Sequence, residues 1–316
     1  MSFVGGGSDL PSYYREHGGA VLSTSIDKYV YVTVNKKFDN DIRLSYSITE
    51  NKKNAKEIKH PIVRNTLEFL KIDNGLEITS ISDIPSQGSG LGSSSSFTVA
   101  LLHALSNYKR ESISKDELGR LASYIEIELC GEVIGKQDQY AAAFGGLNFL
   151  EFNQDNSVIV SPIVCNPKTV KKLEQSIIVF YTGRTRIASS VLIDQSENMK
   201  QDTKRNIMAD MVSLAHEMRS LIENDDIVSF GELLDKNWQL KRQLSKNISD
   251  SEIDMIYETG IRSGALGGKL LGAGSGGFVM FFAPKEKHAS ITKSMKGLRR
   301  VPLHFDDAGS EVVFWD

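Results

Sequence analysis

The chain has 316 residues, 40% of them hydrophobic, which is enough to bury the core of one large or two medium domains. Its net charge of -3 gives no basic footprint for nucleic acid or an anionic membrane. Two cysteines without Cys-x-x-Cys spacing and six scattered histidines exclude a disulfide framework and a zinc site. No apolar run reaches the roughly 18 to 20 residues that span a bilayer, and the N-terminus lacks a signal-peptide pattern, so we expect a cytoplasmic protein with no nucleic-acid or membrane partner.

The first half of the chain is predicted to contain strands and two helices. β-Branched and aromatic residues predict strands over 20–35, 42–48, 76–82 and around 147–152. The lysine-rich stretch 51–60 predicts a solvated loop or helix face. Apolar residues at helical spacing predict a helix that begins near Phe97 and an amphipathic helix from about 115 to 130.

The second half continues with a strand over 177–181 and three successive helices within 198–263. A strand, a glycine turn and a strand follow over 268–283, then a helix near 285–297 and two short strands that end at Trp315. Strands and helices do not alternate regularly, which favours an α+β fold. A composition shift near 153–175 predicts two domains, 1–160 and 161–316.

A loop rich in glycine and serine, from Pro85 to Ser96, leads directly into the first predicted helix. Glycines let the backbone approach an anion, the free amides at a helix start point toward it, and the helix dipole favours negative charge. A flexible linker is the alternative, but apolar residues at helical spacing follow this loop, where a linker would continue as polar chain. We therefore predict a phosphate site formed by Gly88, Ser89, Gly90, Leu91, Gly92, Ser93, Ser94 and Ser95.

Two common phosphate-binding motifs do not fit the chain. The Walker loop needs Gly-Lys followed by Ser or Thr, and no such tripeptide occurs. A dinucleotide fingerprint occurs at 272–277, but it leads into the apolar run 278–282, which predicts a buried strand where that fingerprint needs a helix.

Three motifs in order, Phe3–Leu10, Pro85–Ser95 and Gly268–Phe278, resemble those of the GHMP kinases, the family of galactokinase, homoserine kinase, mevalonate kinase and phosphomevalonate kinase. Within the family, the forms of the first motif and of Gly135–Gly146 are most similar to the bacterial D-glycero-D-manno-heptose 7-phosphate kinases. The resemblance implies an N-terminal domain with a left-handed βαβ crossover and a ferredoxin-like C-terminal domain. It also implies ATP and Mg²⁺, and phosphorylation of the anomeric hydroxyl of this sugar phosphate on the route to GDP-heptose. The formation of a homodimer is left open by the sequence.

The resemblance assigns the residues of phosphoryl transfer. Asp138 matches the family's catalytic aspartate, as general base or as the group that orients the attacking hydroxyl. Ser93 or Ser94 offers a hydroxyl to Mg²⁺, and the family adds a carboxylate from the preceding helix. Helical periodicity alone does not choose between Glu126 and Glu128, but the galactokinase spacing to the catalytic aspartate fits Glu126.

The resemblance also indicates a substrate site. Asp9 resembles the aspartate that binds sugar hydroxyls, and we expect Gly6 and Gly7 beside it to leave room and exposed amides for a larger sugar. Ser8 is a further candidate for binding the substrate. Arg184 and Arg186 are the candidate pair for the phosphate of that sugar. In the third motif, Gly272, Gly274 and Gly276 are expected to pack beside the phosphate site.

One family feature is not found in this sequence. The first motif is usually preceded by Pro-x-Arg, and counting back nine residues from Asp9 passes the first residue. A truncated start, a substitute cation such as Lys136, or a reaction that depends less on this partner are the open explanations. Two other functions also stay open: a kinase for a free sugar similar to fucose or galactose, and a sugar sensor that has lost turnover.

Overall fold

The computed structural model describes residues 1–85, 88, 90–184 and 188–315, without the side chain of Ala188. Two predicted ligand residues, Ser89 and Arg186, lie outside these described residues. The strands in the described part are, in chain order, β1 (Ser2–Val4), β2 (Gly19–Thr24), β3 (Val30–Lys36), β4 (Ile42–Ser45), β5 (Thr49–Lys52), β6 (Leu76–Ser82), β7 (Leu147–Phe152), β8 (Val158–Pro162), β9 (Ile177–Tyr181), β10 (Gly267–Leu270), β11 (Phe278–Phe282) and β12 (Arg299–Val301).

The α-helices of the same residues are α1 (Pro11–His17), α2 (Pro61–Phe69), α3 (Ser93–Tyr108), α4 (Lys115–Tyr124), α5 (Gln137–Phe144), α6 (Pro167–Gln175), α7 (Ala188–Asn198), α8 (Asp202–Glu223), α9 (Val228–Arg242), α10 (Ser251–Arg262) and α11 (His288–Ser294). The α+β prediction agrees with this mixture. Within the described residues, no helix is both long enough and apolar enough to cross a membrane.

The chain forms two compact units, and each is built from separate segments. The first unit contains Met1–Asp27, Gln87–Leu91 and Gly146–Asp306. The second contains Lys28–Ser86, Gly92–Gly145 and Asp307–Asp316. The predicted domain boundary at residue 160 stays a prediction.

The first unit contains two four-stranded antiparallel sheets. One has the order β1-β2-β7-β8, with Gly19 opposite Phe152 and Thr24 opposite Leu147. The other has the order β10-β11-β9-β12, and α9 and α10 pack against β10. Strands β9 and β11 are apolar along their length, so they form much of this unit's core.

The second unit contains one mixed sheet with the order β3-β6-β4-β5. Strands β4 and β6 are parallel neighbours, and the chain between them passes through β5 and α2. The buried faces of α2 and α3 share one apolar core with this sheet, which contains Ile42, Leu44, Val63, Leu76, Ile78, Leu101 and Leu105 among others. This core supports the start of α3, where the predicted phosphate loop ends.

Local sequence signals explain where several helices begin. The side chain of Ser114 accepts a hydrogen bond from the amide of Glu117 and so caps the start of α4. Asp250 accepts bonds from the amides of Glu252 and Ile253 and so caps α10. In α1, α2 and α6 a proline occupies the first turn, where its missing amide hydrogen is not needed.

Some predicted elements were wrong in detail. The single strand expected over 20–35 is two strands, because the backbone leaves the sheet between Thr24 and Val30. The stretch 51–60 contains the end of edge strand β5. Only β12 follows α11 among the described residues, and Val313, Phe314 and Trp315 are exposed, so the strand expected to end at Trp315 does not form.

Candidate active site

The glycine- and serine-rich loop has the backbone expected of an anion-binding turn. Gly88, Gly90 and Gly92 have φ of 65°, 74° and 71°, a left-handed conformation that side chains disfavour. Gly92 is the N-cap of α3, and its carbonyl accepts the amide of Ser96 at 2.9 Å. The described part of the loop therefore opens a helix, which agrees with the sequence prediction.

Gly92 also lies against the predicted catalytic aspartate within the second unit. A Cβ placed on Gly92 would lie 3.2 Å from Cγ of Asp138. Asp138 is half-buried in the first turn of α5, one residue after its first position, and Lys136 is the N-cap of the same helix. The missing side chain at Gly92 thus lets the start of α3 approach the carboxylate of Asp138.

Glu126 is the buried carboxylate of this cluster, with 1% of its surface exposed. Oε1 accepts a bond of 2.9 Å from the hydroxyl of Ser94, and Oε2 accepts a bond of 2.6 Å from Nε2 of Gln139. Burial raises the pKa of Glu126 above its ordinary value, although bonds from Gln139, Ser94 and Ser95 oppose that shift. The negative charge of Asp138 raises the pKa of Glu126 as well.

A π-helical turn contains both candidate glutamates. Helix α4 continues into a wider turn over Ile125–Leu129, where the amide of Cys130 bonds to the carbonyl of Ile125 five residues earlier. This turn buries Glu126 and leaves Glu128 exposed. A regular helical wheel could not show this difference, because the periodicity changes at these residues.

Four side chains of the loop have defined neighbours. The hydroxyl of Ser93 donates to the carbonyl of Pro85 at 3.3 Å, whereas those of Ser94 and Ser95 contact Glu126. Of the two serines proposed for the metal, Ser94 is therefore the one that bonds to the buried carboxylate. The side chain of Leu91 packs against the apolar core of the first unit.

The first glycine motif lies in the first unit, and Asp9 is its buried acid. Asp9 is 2% exposed, and its Oδ1 accepts the amide of Gly7 at 2.9 Å. The hydroxyl of Ser8 donates to the carbonyl of Ala20 and accepts its amide, both at 3.1 Å. Ser8 therefore holds the first motif against strand β2.

Lys241 is a neighbour of this motif that sequence reasoning missed. Its Nζ donates to the carbonyl of Gly6 at 2.8 Å and to Oε1 of Gln195 at 3.0 Å. Burial lowers the pKa of Lys241 to about 8, and the charge of Asp9 opposes that shift. A signal was present in the sequence, because Lys241 occupies the apolar stripe of α9 together with Phe230 and Leu234.

The third motif packs against the phosphate loop within the first unit. A Cβ on Gly272 would lie 2.4 Å from Cα of Gly90, so the two backbones are in direct contact. A Cβ on Gly274 would lie 2.7 Å from Cα of Ile248, and one on Gly276 would lie 3.0 Å from the carbonyl oxygen of Arg184. The motif then enters strand β11, as the sequence predicts.

Arg184 has carboxylate partners. Its Nη2 lies 2.7 Å from Oδ2 of Asp250, and its Nη1 lies 2.9 Å from Oε2 of Glu252. The guanidinium therefore bridges to the N-terminus of α10. Its predicted partner Arg186 is not among the described residues.

Family models match both halves of the chain. The model described as GHMP kinases N terminal domain matches residues 57–146, and the model described as GHMP kinases C terminal matches residues 218–295. Together they cover more than half of the sequence. The chain belongs to the GHMP kinases.

Individual GHMP kinases are similar over nearly the whole chain. The D-glycero-alpha-D-manno-heptose 7-phosphate kinase of Campylobacter jejuni is 31% identical, over 94% of this chain and 91% of that protein. A bifunctional fucokinase/GDP-fucose pyrophosphorylase of Arabidopsis thaliana is 26% identical, over 97% of this chain but 31% of that longer protein. The crystal structure of a D-glycero-D-manno-heptose 1-phosphate kinase from Bacteriodes thetaiotaomicron superposes with a TM-score of 0.78 at 25% identity, over 98% of this chain and 94% of that one.

Membership confirms the predicted GHMP kinase fold and the class of reaction. This GHMP kinase is an ATP-dependent phosphotransferase whose acceptor is a hydroxyl group. Its similarity to heptose phosphate kinases supports its assignment as a sugar kinase. Its acceptor is a small-molecule sugar.

Proposed function

We propose that this GHMP kinase phosphorylates the anomeric hydroxyl of D-glycero-D-manno-heptose 7-phosphate, and that its product enters a route to GDP-heptose. The observation that carries the proposal is the similarity to the Campylobacter jejuni heptose 7-phosphate kinase along almost the full length of both proteins. The buried Asp9 of the first motif supports it, because a carboxylate is a suitable acceptor for sugar hydroxyls.

In the proposed reaction, the anomeric oxygen attacks the γ-phosphorus of ATP and the bond from that phosphorus to the bridging oxygen of ADP breaks. Asp138 accepts the proton of the hydroxyl or orients it for attack. An anomeric hydroxyl is more acidic than an ordinary alcohol and so asks less of the base. The amides of residues 88 to 94, around the left-handed glycines, hold the phosphates of ATP.

The residues present fit Mg²⁺. Neighbouring ligand oxygens of an octahedral Mg²⁺ lie about 3.0 Å apart when each metal–oxygen bond is about 2.1 Å. Oγ of Ser94 and Oε1 of Glu126 lie 2.9 Å apart, close to this separation. Among the described residues, no group of three or more His, Cys, Asp and Glu side chains could hold a metal. When bound, Mg²⁺ would neutralise charge on the phosphates of ATP.

Arg184, with Arg186, stays the proposed pair for the distal phosphate of the sugar. The contact that Arg184 makes with Glu252 is the one a phosphate would replace, since the side chain of Glu252 is 64% exposed. The bond to Asp250 would then hold the guanidinium in place. Arg184→Met should raise the KM for the phosphorylated sugar without raising that for its unphosphorylated counterpart.

A kinase for a free sugar is the second candidate. Two observations favour it: the similarity to the Arabidopsis fucokinase protein and the two carboxylates that already neutralise Arg184. A free sugar would leave this ion pair intact. The two candidates therefore differ in whether the acceptor carries a phosphate.

A coupled ADP-release assay with heptose 7-phosphate, the free heptose, fucose and galactose tests the proposal. We expect kcat/KM for heptose 7-phosphate to exceed the others by at least about tenfold. ³¹P NMR should show a product phosphate coupled to the anomeric proton. Asp138→Asn serves as the background control and should remove transfer. A preference for an unphosphorylated sugar would overturn the heptose 7-phosphate assignment, and undiminished transfer by Asp138→Asn would overturn the mechanism.

A further inference from the structure

Helix α9 presents two polar side chains to the glycines of the first motif. Asn237 and Lys241 are four residues apart and therefore lie on one face of the helix. Oδ1 of Asn237 accepts the amide of Gly5 at 3.5 Å, and Nζ of Lys241 donates to the carbonyl of Gly6 at 2.8 Å. The motif is thus held by a helix far from it in sequence.

Lys241 is a buried cation, and the charge of Asp9 favours its protonated form. Only 7% of Lys241 is exposed, and burial of an unpaired ammonium is strongly unfavourable. Lys241 and Asp9 meet at Gly7, whose amide bonds to Oδ1 of Asp9 and at which a Cβ would lie 3.0 Å from Nζ of Lys241. The hydrogen-bond partners of Lys241, the carbonyl of Gly6 and Oε1 of Gln195, are neutral. The electrostatic partner of Lys241 is therefore the proposed sugar-binding carboxylate.

Gln195 completes this cluster from α7. Its Oε1 accepts from Lys241, whereas its Nε2 has no hydrogen-bond partner among the described residues, although the side chain is fully buried. A Cβ on Gly7 would lie 2.1 Å from this Nε2 and 3.0 Å from Nζ of Lys241. Glycine at position 7 is therefore required for Lys241 and Gln195 to contact the motif.

We propose that Lys241 is a positioning residue of the sugar site, which fixes the loop at Gly6 and compensates the charge of Asp9 so that this carboxylate is held for sugar hydroxyls. The inference rests on the assignment of Asp9 to the sugar under the proposed function. A balanced pair of one carboxylate and one ammonium suits neutral hydroxyls. The substrate end bound here is therefore the polyol end, and a phosphate binds elsewhere.

Lys241→Met tests this inference, because methionine keeps most of the length of the side chain and removes its charge. We expect the KM for the best wild-type sugar to rise at least about tenfold, while the KM for ATP changes less than about twofold. The exposed Lys236 lies on the same helix, so Lys236→Met is the matched control and should leave both KM values unchanged. Circular dichroism and thermal melting report whether each variant folds.

A double-mutant cycle with Asp9→Asn tests the assignment of Asp9 to the sugar separately from the positioning role of Lys241. If Lys241 acts through Asp9, Lys241→Met should add less than about twofold to the sugar KM of Asp9→Asn. An unchanged sugar KM in Asp9→Asn would overturn the assignment of Asp9. If the sugar KM rises in Asp9→Asn but not in Lys241→Met, only the role of Lys241 is overturned. The same holds if Lys241→Met has an equal effect on the sugar KM in wild type and in Asp9→Asn.

The wild-type pH profile is a second test that does not depend on folding of a variant. The pKa of Lys241 is lowered to about 8, so the ammonium is lost as the pH rises through that value. The sugar KM should then rise above about pH 8 while the KM for ATP stays level. A sugar KM that is constant from pH 7 to about 9.5 would contradict the proposal.

Discussion

The hydroxyl of Ser94 donates a hydrogen bond of 2.9 Å to Oε1 of Glu126, a residue 32 positions later in the chain. Ser94 lies in the first turn of α3, and Glu126 lies in the π-helical turn after α4. The contact joins the phosphate loop to a buried acid. It is the pair of oxygens on which the proposed Mg²⁺ site depends.

The first prediction concerns this acid. Glu126→Gln should lower kcat at least about 100-fold and raise the Mg²⁺ concentration needed for half-maximal activity, because an amide is a poorer ligand for this cation. Glutamine can still accept the bond from Ser94, so the fold should be retained. Glu128 lies two residues away and is exposed, and Glu128→Gln should keep kcat within about twofold. A wild-type Mg²⁺ dependence in Glu126→Gln would contradict the assignment of Glu126 as a ligand of Mg²⁺.

The second prediction concerns Gly92. Alanine there must adopt φ near 71° and place its Cβ 3.2 Å from Cγ of Asp138. We expect Gly92→Ala to lose about 1 kcal/mol of stability from backbone strain and at least about tenfold in kcat from displacement of the carboxylate.

Gly75 supplies the control for Gly92. It has φ of 77° and open space around the position of a Cβ. Gly75→Ala should therefore lose similar stability and keep full kcat. Urea unfolding and steady-state kinetics of both variants separate strain from catalysis, and an equal loss of kcat in both would refute the specific role of Gly92.

Local patterns predicted the parts of the site that depend on neighbouring residues. The apolar spacing after Ser96 predicted that the loop opens a helix, and the apolar run 278–282 predicted that the third motif enters a strand. Strands 76–82, 147–152 and 177–181 also agree with β6, β7 and β9. In each case the signal and the structure lie within the same short segment.

Long-range relationships could not be predicted in this way. The burial of Glu126 depends on a π-helical turn, which changes the periodicity on which a helical wheel relies. The apolar stripe of α9 indicates that Lys241 is buried, but it does not show that Lys241 contacts Gly6 and Gln195. The carboxylates of Asp250 and Glu252 that bind Arg184 are more than sixty residues away in sequence.

The third prediction concerns the contact between two glycine motifs. Gly272→Ala would place a Cβ 2.4 Å from Cα of Gly90, so the phosphate loop must shift. We expect the KM for ATP to rise at least about fivefold, with a smaller change in the sugar KM. Gly297 also has a positive φ, 87°, with no atom near a Cβ position, and Gly297→Ala should keep the KM for ATP. An unchanged KM for ATP in Gly272→Ala would contradict a role of this contact in nucleotide binding.

The fourth prediction concerns Asp250, which caps α10 and binds Arg184. Asp250→Ala loses both the cap and the ion pair, and should lower the free energy of unfolding by about 1 to 2 kcal/mol. Asp250→Asn keeps an oxygen that can cap the helix and should lose less, because the ion pair is partly exposed to solvent.

The pH dependence of this difference tests the ion pair separately from the cap. Hydrogen bonding to Arg184 is the main cause that lowers the pKa of Asp250 below its ordinary 3.8. Because the folded-state pKa is lowered, the stabilisation is present above pH 3.8 and is lost as the pH falls through the folded-state value. Urea unfolding of wild type and Asp250→Asn should therefore differ by a constant amount between about pH 5 and 7 and converge below about pH 4. A difference that persists unchanged in acid would show that Arg184 does not stabilise the ionised form of Asp250.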